Sequence, residues 1–435
     1  MTYVVLIAIS ANFPQYTPLM WFSKKPSFFN ASSDKRIYLD YASAPPVLPE
    51  AVVAMREAEM LVGNPGAIHS EAVAAKKSLE HSRARIASLL GCKARELLFT
   101  SGLTEANNLA IVGYAKYLER TKRSLKGTHW LVSSIEHDSV LASFAEVERV
   151  GGGVSYVEPN GNGIVTPEAV STMVRKETVF VSVGWANNEI GTVQPLGKIA
   201  QKIRQSHPDI VFHSDAGQAP LYLPTLVHSL GVDLLALGSN KLYGPHGIGA
   251  LYIEKNATLA RLLFGGKQER GLRPGTESVA LAAGFAAAYG IVAREREGEA
   301  KRLKELRDEL ARQLVTRVPG LIVNGDLKHA LPHMLNISIP NTLPTGRQVS
   351  SEYVTLALDA KGIAVSTKSA CREGEESRSH VVLALGDAKS ASSSVALAKE
   401  ERAQNTIRIS LGRESNATDL HRVVKEITRA LSLPG

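Results

Sequence analysis

The 435-residue chain has two cysteines, Cys92 and Cys371, too few for a disulfide-dense secreted protein and more typical of a reducing compartment. No apolar run reaches the roughly 18 residues that a membrane-spanning helix needs. The basic excess is mild, 50 Lys and Arg against 42 Asp and Glu, and no basic block resembles a nucleic-acid-binding arm. We therefore expect a cytoplasmic protein without a membrane partner or direct nucleic-acid partner.

The first 33 residues differ in pattern from the rest of the chain. The apolar stretch 4–9 is short, and the basic pair Lys24 and Lys25 follows it, which is the reverse of the order in a signal peptide. We interpret residues 1–33 as a poorly ordered extension, with a targeting segment as the alternative. The chain as a whole, 44% hydrophobic and 21% charged, is globular in composition.

Predicted strands and helices alternate between residues 37 and 253. The predicted strands are Ile37–Leu39, Glu96–Thr100, His129–Ser133, Val154–Val157, Val179–Trp185, Ile210–Ser214, Val232–Leu237 and Ile248–Ile253. The predicted helices are Pro49–Leu61, Ser70–Leu90, Thr104–Leu118, Ser139–Val150, Thr166–Val174 and Leu196–Ser206. This alternation, with strands that are almost continuously apolar, predicts an α/β fold with a mainly parallel, doubly wound sheet.

The pattern changes near residue 290. Ala293–Val315 reads as a long charged helix, and Ala388–Gln404 as an inserted loop or helix. We expect a large domain over residues 51–290 and a smaller α+β domain over residues 291–435. Residues 34–50 are expected to pack with the small domain.

Polar residues follow several of the predicted strands, where ligands bind in open α/β sheets. Ser101–Glu105 opens a helix, whose first N–H groups suit a phosphate, although a simple helix cap is the alternative. Glu136 and His137 follow a second strand, and Asn187–Gly191 follows a third. By themselves, the histidine is more often a surface residue and the asparagine segment more often a turn.

Two further strand ends carry Asp215 and Lys241, which stands 26 positions later. This spacing allows one intervening helix, so that neighbouring strands can present both side chains to one cleft. A helix cap and a solvated surface lysine are the alternatives. A phosphate cradle, a carboxylate and a lysine in one cleft suit pyridoxal 5'-phosphate (PLP), because the amine forms a Schiff base and the carboxylate pairs with the pyridine nitrogen.

Taken in order, these motifs resemble those of the cysteine desulfurases in the class V aminotransferase group, most closely the iron–sulfur-cluster type. The matching segments are Tyr38-Leu39-Asp40 with Ala42 and Pro45, Gly63-Asn64-Pro65 with His69, Thr100–Glu105, Glu136-His137, Asn187–Gly191, His213-Ser214-Asp215 with Gln218, Lys241 with Tyr243-Gly244-Pro245, Gly275-Thr276-Glu277, Ser369-Ala370-Cys371, and Arg408 with Ser410–Arg413. The resemblance implies the type I fold of PLP-dependent transferases, with a seven-stranded, mainly parallel sheet and helices on both faces.

The resemblance also implies roles for residues that contact the cofactor ring. Lys241 is expected to form the Schiff base and Asp215 to pair with the pyridine nitrogen. Gln218 is expected to bond the phenolic oxygen, and His137 to stack on the ring.

Other implied roles concern the phosphate and the substrate. The backbone of Leu103 and the side chain of Thr104 are expected to hold the phosphate, together with Thr276 of a second subunit. Asn188 and Arg408 are expected to orient the substrate, with Arg408 clamping its carboxylate in a bidentate pair. No metal site is predicted.

The sequence departs from the family pattern beside the lysine. The family usually has His directly before the lysine and Ser three positions before it, and both help to hold the phosphate. Here these positions are Asn240 and Gly238, which we expect to line the phosphate site, with Ser239 as a compensating hydroxyl. Leu103 stands where Ala is usual.

The two cysteines lie in different surroundings. Cys92 follows Leu89 and Leu90 and reads as a small apolar residue. Cys371 lies in the polar run 366–379, typical of an exposed loop, where Lys368 and Arg372 favour its thiolate. The resemblance implies that this thiolate attacks the sulfur of L-cysteine, giving a Cys371 persulfide and L-alanine.

Two alternatives to a cysteine desulfurase remain at this point. One is another PLP enzyme on the same fold, such as a selenocysteine lyase or, with less need for Cys371, an aminotransferase. The other is a non-catalytic sulfur-relay binding protein, which the departures at Gly238 and Asn240 would suit. The expected partners are a second copy of the chain and sulfur acceptors, such as an iron–sulfur scaffold protein or a tRNA-thiolation enzyme.

Overall fold

The fold was analysed in a computed structural model, which describes residues 36–122, 124–343, 346–367, 378–386 and 393–432. The predicted extension at residues 1–33 and the predicted nucleophile Cys371 lie outside these residues.

The helices and strands follow one another in the alternation that the sequence predicts. The strands are β1 (Ile37–Tyr38), β2 (Leu97–Thr100), β3 (His129–Ser133), β4 (Gly153–Val157), β5 (Thr178–Ser182), β6 (Val211–Asp215), β7 (Leu234–Gly238), β8 (Gly249–Ile253), β9 (Ile322–Val323), β10 (Met334–Ser338), β11 (Ile363–Ala364) and β12 (Thr406–Ser410). The helices are α1 (Pro49–Glu59), α2 (Ser70–Leu90), α3 (Leu103–Lys122), α4 (Asp138–Arg149), α5 (Pro167–Met173), α6 (Leu196–Ser206), α7 (Val227–Leu230), α8 (Val279–Arg317), α9 (Ser351–Asp359), α10 (His380–Ala384), α11 (Ser393–Gln404) and α12 (Ala417–Ser432).

The largest sheet has seven strands in the described residues, in the order β2-β8-β7-β6-β5-β3-β4. β8 runs antiparallel to both of its neighbours, and the other adjacent pairs are parallel. The strands β2, β7, β6, β5, β3 and β4 therefore end at the same edge. The mainly parallel seven-stranded sheet that the sequence predicts is confirmed.

Both faces of this sheet are covered by helices. Because successive strand residues point to opposite faces, Leu97 and Phe99 pack into one core and Leu98 into the other. On the second face, the buried rings of Trp130 and Phe180 lie 5.0 Å apart between centroids, beneath helices α3 and α4. This double burial explains the nearly continuous apolar composition of the strands.

The rest of the described chain forms the smaller α+β part. β12, β10 and β9 form an antiparallel sheet, and β1 pairs with β11 in parallel. Helix α8 connects this part to the large sheet, and it begins at Val279, well before the predicted start at Ala293. Its first turns bury Phe285 and Tyr289, so the sequence there is apolar rather than charged. One helix thus crosses residue 290, and the division into domains at that residue stays a prediction.

Two further features complete the description of the fold. The segment Ala388–Gln404, predicted as a loop or helix, contains helix α11. Among the residues that the structure describes, no helix is both long enough and apolar enough to cross a bilayer.

Candidate functional site

A cavity of about 400 Å³ lies at the carboxyl-end edge of the large sheet. It is lined by residues that follow β2, β3, β5, β6 and β7, together with residues from the segment after β1 and from β12. The predicted site residues found in its lining are Leu103, Thr104, His137, Asn188, Asp215, Gln218, Asn240, Lys241 and Arg408. The convergence expected from the strand ends is therefore present.

Lys241 lies just after β7, and its ammonium group meets the segment that follows β1. The Nζ atom donates hydrogen bonds to the carbonyl oxygens of Ala42, at 2.9 Å, and Ser43, at 2.7 Å. Gln218 Nε2 donates to the same Ala42 oxygen at 2.9 Å. The N-terminal segment thus positions the lysine and the amide on one side of the cavity.

Asp215 is the last residue of β6, and its carboxylate is held by two donors. The backbone N–H of Gly217 donates to Oδ1 at 2.7 Å, and Asn107 Nδ2 donates to Oδ2 at 2.6 Å. Asn107, which the sequence analysis missed, stands three residues after Thr104 on α3. That spacing puts both on one helix face, and it is the sequence signal that points to Asn107.

His137 caps the N-terminus of α4. Its Nδ1 atom accepts the backbone N–H of Ser139 at 3.1 Å and lies 2.9 Å from the Ser139 hydroxyl oxygen. The ring is therefore held by α4 at the edge of the cavity. Ser139 also lines the cavity and was not predicted.

Glu136, directly before this histidine, is a buried carboxyl group in the cavity lining. Its Oε1 atom accepts the backbone N–H of Gly184 at 2.7 Å. Burial raises the pKa of Glu136 to about 8; the charge of Asp215 adds to this, and hydrogen bonds from Gly184 and Ser133 oppose it. The group is therefore largely protonated at neutral pH. No role for Glu136 was predicted from the sequence.

The N-terminus of α3 also lines the cavity. The first N–H groups of a helix have no partner within the helix and carry a partial positive charge, so Leu103 and Thr104 stand where an anion is stabilised. Gly238 is not in the lining but lies behind it: a Cβ atom there would be 3.1 Å from Leu103 Cβ and 3.0 Å from Asn240 Oδ1. Ser239 is fully buried and is also absent from the lining, and its compensating role stays a prediction.

Arg408, on β12, is almost completely buried and its guanidinium group has three partners. Nη1 donates to the carbonyl oxygen of Asn188 at 2.8 Å, and Nη2 donates to Asp40 Oδ1 at 2.9 Å and to the Ser43 hydroxyl. Nε has no partner among the described residues. The predicted clamp for the substrate carboxylate is thus already paired with a carboxylate of the protein.

Two predicted residues lie apart from this arrangement. Thr276 lines a second cavity of about 190 Å³, and Gly247 lines both cavities. The predicted action of Thr276 on the phosphate of a second subunit stays a prediction. Cys371 lies outside the described residues. The described segments on either side contact residues of the lining: the backbone of Ser366 pairs with that of Arg408, and His380 Nε2 lies 3.0 Å from the carbonyl oxygen of Glu136.

The sequence as a whole matches the family model described as aminotransferase class-V over residues 37–423. The chain belongs to the class V aminotransferase family. It is 36% identical, over 91% of its length and 95% of the relative's, to a protein named cysteine desulfurase IscS from Dictyoglomus turgidum. The structure resembles that of a protein named NifS-like, with a TM-score of 0.80, 30% identity, and coverage of 92% of this chain and all of the other.

A second solved structure, described as SspA in complex with cysteine, has a TM-score of 0.71 and 30% identity, and covers 87% of this class V chain and 99% of the other. These similarities confirm the predicted family and fold class. They also confirm the predicted cofactor, because class V aminotransferases and cysteine desulfurases depend on PLP.

The cavity of this class V protein fits that cofactor. It combines a helix N-terminus for a phosphate, a lysine for an aldehyde, and the Asp215 carboxylate, whose oxygens each retain acceptor capacity beyond their single bonds. Gln218 Oε1 is buried with no hydrogen-bond partner among the described residues. Such an unpaired buried atom is costly, and a polar ligand in the cavity would satisfy it.

Proposed function

We propose that this protein is a PLP-dependent cysteine desulfurase, which converts L-cysteine to L-alanine and transfers the sulfur to Cys371 as a persulfide. One observation carries the proposal: Lys241, Asp215 and His137 line one cavity at the ends of parallel strands, with Arg408 on its wall. The names of the relatives agree with this enzyme class.

The side chains around the cavity divide the work of holding the cofactor. Lys241 would bind its aldehyde carbon, Asp215 would keep its pyridine nitrogen protonated, and Gln218 would bond its phenolic oxygen. His137 would stack on the ring.

The phosphate would lie against the N-terminus of α3. There the first N–H groups, Thr104 and Asn240 face it, with Leu103 backed by Gly238. When bound, PLP withdraws electrons from the substrate Cα and so makes its proton removable.

The protein's own groups then act on the substrate. Arg408 and Asn188 orient L-cysteine, Arg408 through the substrate carboxylate, and the Lys241 amine takes the Cα proton. The Cys371 thiolate attacks the substrate sulfur, so that an S–S bond forms as the Cβ–S bond breaks. The electron pair of the broken bond stays on the carbon side, which is protonated to give L-alanine.

Thr276 lines the second cavity and not the proposed cofactor cavity, which suggests that it acts on a partner subunit. We propose a homodimer in which Thr276 reaches the phosphate of the other subunit, as the family resemblance implies. The proposed acceptors are cytoplasmic sulfur-accepting proteins, such as an iron–sulfur scaffold or an enzyme of tRNA thiolation. The names of the relatives support sulfur transfer from cysteine but do not choose between these acceptors.

Substitution of Lys241 tests the proposal. We expect the PLP-loaded wild type to show a Schiff-base absorbance band and to release L-alanine from L-cysteine. Lys241→Ala should lose the band and about a thousandfold or more of the turnover, since it removes both the covalent anchor and the general base. Lys198→Ala, on the exposed face of α6, is the control. An unchanged turnover in Lys241→Ala would overturn the proposal, and a much faster reaction with L-selenocysteine would favour a lyase.

A further inference from the structure

A continuous line of hydrogen bonds connects Asp215 to His137 through two residues to which no role has been assigned. We propose that Asn107 and Ser139 are positioning residues, which fix the orientation of the Asp215 carboxylate and the tautomer of the His137 ring toward the cofactor. This inference rests on the proposed function, because both end residues are assigned to the PLP ring. The hydrogen bonds orient the Asp215 carboxylate and the His137 ring in the ligand-free protein.

Asn107 supplies the two donors at the centre of the line. Its Nδ2 atom lies 2.6 Å from Asp215 Oδ2 and 2.9 Å from Ser139 Oγ, and the residue is fully buried. An amide NH₂ has two hydrogens, so both are used. The reversed amide would place its oxygen against the carboxylate, with two acceptors facing each other, and this fixes the amide orientation.

The direction of the remaining bonds follows from this donor count. The Ser139 hydroxyl accepts a hydrogen from Asn107, so its own hydrogen is available for His137 Nδ1, 2.9 Å away. The backbone N–H of Ser139 donates to the same nitrogen at 3.1 Å. A ring nitrogen that accepts carries no hydrogen, and the neutral ring therefore bears its proton on Nε2.

A second buried carboxyl group, that of Glu136, lies in the same cavity lining as Asp215. Burial and the charge of Asp215 raise the pKa of Glu136, and the backbone N–H of Gly184 donates to its Oε1 atom. Each carboxyl group has two donors: Asn107 and Gly217 donate to Asp215, and Gly184 and the Ser133 hydroxyl donate to Glu136. Substitution of Asn107 therefore removes one of the two bonds that orient the Asp215 carboxylate.

The direct test reads the ring tautomer in the cofactor-free full-length protein by ¹⁵N NMR of labelled histidines, with the His137→Gln difference spectrum as assignment. In the wild type we expect an Nδ1 shift of an unprotonated acceptor and an Nε2 shift of a protonated nitrogen. Ser139→Ala and Asn107→Leu should each raise the Nδ1–H fraction measurably, although the backbone N–H of residue 139 still donates to Nδ1, and Ser139→Thr should keep the wild-type shifts. Ser143→Ala is the matched control, since its hydroxyl donates to the Ser139 carbonyl one turn away.

A second readout is the absorbance of bound PLP and its dissociation constant. Asn107→Leu should shift the absorbance maximum or its pH dependence and weaken PLP binding about tenfold, the effect of losing one hydrogen bond to a charged group. Wild-type tautomer, spectrum and PLP affinity in both Ser139→Ala and Asn107→Leu would overturn the inference. If Asn107→Leu does not fold, Ser139→Ala and its Thr rescue decide the outcome. A wild type that shows the expected tautomer but binds no PLP would refute the proposed function and not this assignment.

Discussion

Arg408 and Asp40 form an ion pair in the wall of the cavity, with Nη2 and Oδ1 2.9 Å apart. They come from the two ends of the described chain, one on β12 and the other just after β1. The Ser43 hydroxyl bonds both partners and keeps them aligned. The arginine assigned to the substrate carboxylate is therefore compensated before the substrate arrives.

Asp40 should oppose the binding of a substrate carboxylate through its charge. Asp40→Asn keeps an oxygen acceptor for Arg408 and removes the negative charge, so we expect the KM for L-cysteine to fall about three- to tenfold, or roughly 1 kcal/mol. Steady-state kinetics would measure this effect, and inhibition by small carboxylates should tighten in parallel. A KM above that of the wild type would show instead that the carboxylate is needed to aim the arginine.

Leu103 and Gly238 should behave as a coupled pair, because a side chain at 238 meets Leu103. Gly238→Ser alone is expected to weaken PLP binding and lower the Tm, since its Cβ lacks room. Adding Leu103→Gly, which removes the Cβ atom that the new side chain meets, should relieve this contact and let the hydroxyl reach the phosphate, with PLP binding about tenfold tighter than in Gly238→Ser. A double-mutant cycle on the PLP dissociation constant measures the coupling. Strictly additive effects would refute it.

Glu136 should make the protein lose stability as the pH rises. Its pKa is raised from the ordinary 4.5 to about 8, so the folded protein retains a proton that the unfolded chain releases above pH 4.5. The contribution is present at low pH and is lost between about pH 4.5 and 8. The side chain of Glu136→Gln cannot ionise. From pH 5 to pH 8 the Tm of this variant should therefore fall by roughly 5 °C less than that of the wild type.

Calorimetry across that range measures the difference, with the exposed Glu168→Gln as control. Parallel Tm curves for Glu136→Gln and the wild type would mean that the carboxyl group is already ionised in the folded state.

Elements with local signals could be predicted almost to the residue. Helix α2 has the predicted bounds because His69 accepts a hydrogen bond at its start and Gly91 ends it in the left-handed conformation at φ +67°. The start of α8 could not be placed from its charge pattern. Its first turns are buried against α1 and α2, and this packing depends on distant parts of the chain.

The candidate site likewise contains residues that local sequence patterns reveal and residues that only long-range packing brings in. Lys241 and Asp215 could be found because the carboxyl ends of parallel strands meet at one edge. The bond from Asn107 to Asp215 spans 108 positions, and that from Arg408 to Asp40 spans 368. No spacing rule predicts such pairs, because they depend on how helices and the small sheet pack over the cavity.

The position of transferred sulfur tests the central claim most directly. The PLP-loaded full-length protein would be incubated with L-cysteine, and its peptides analysed by mass spectrometry without reductant while L-alanine is quantified. We predict one added sulfur atom on Cys371, matched by L-alanine, in both the wild type and Cys92→Ser. Full sulfur transfer by Cys371→Ser, or L-alanine production with no sulfur on Cys371, would contradict the account.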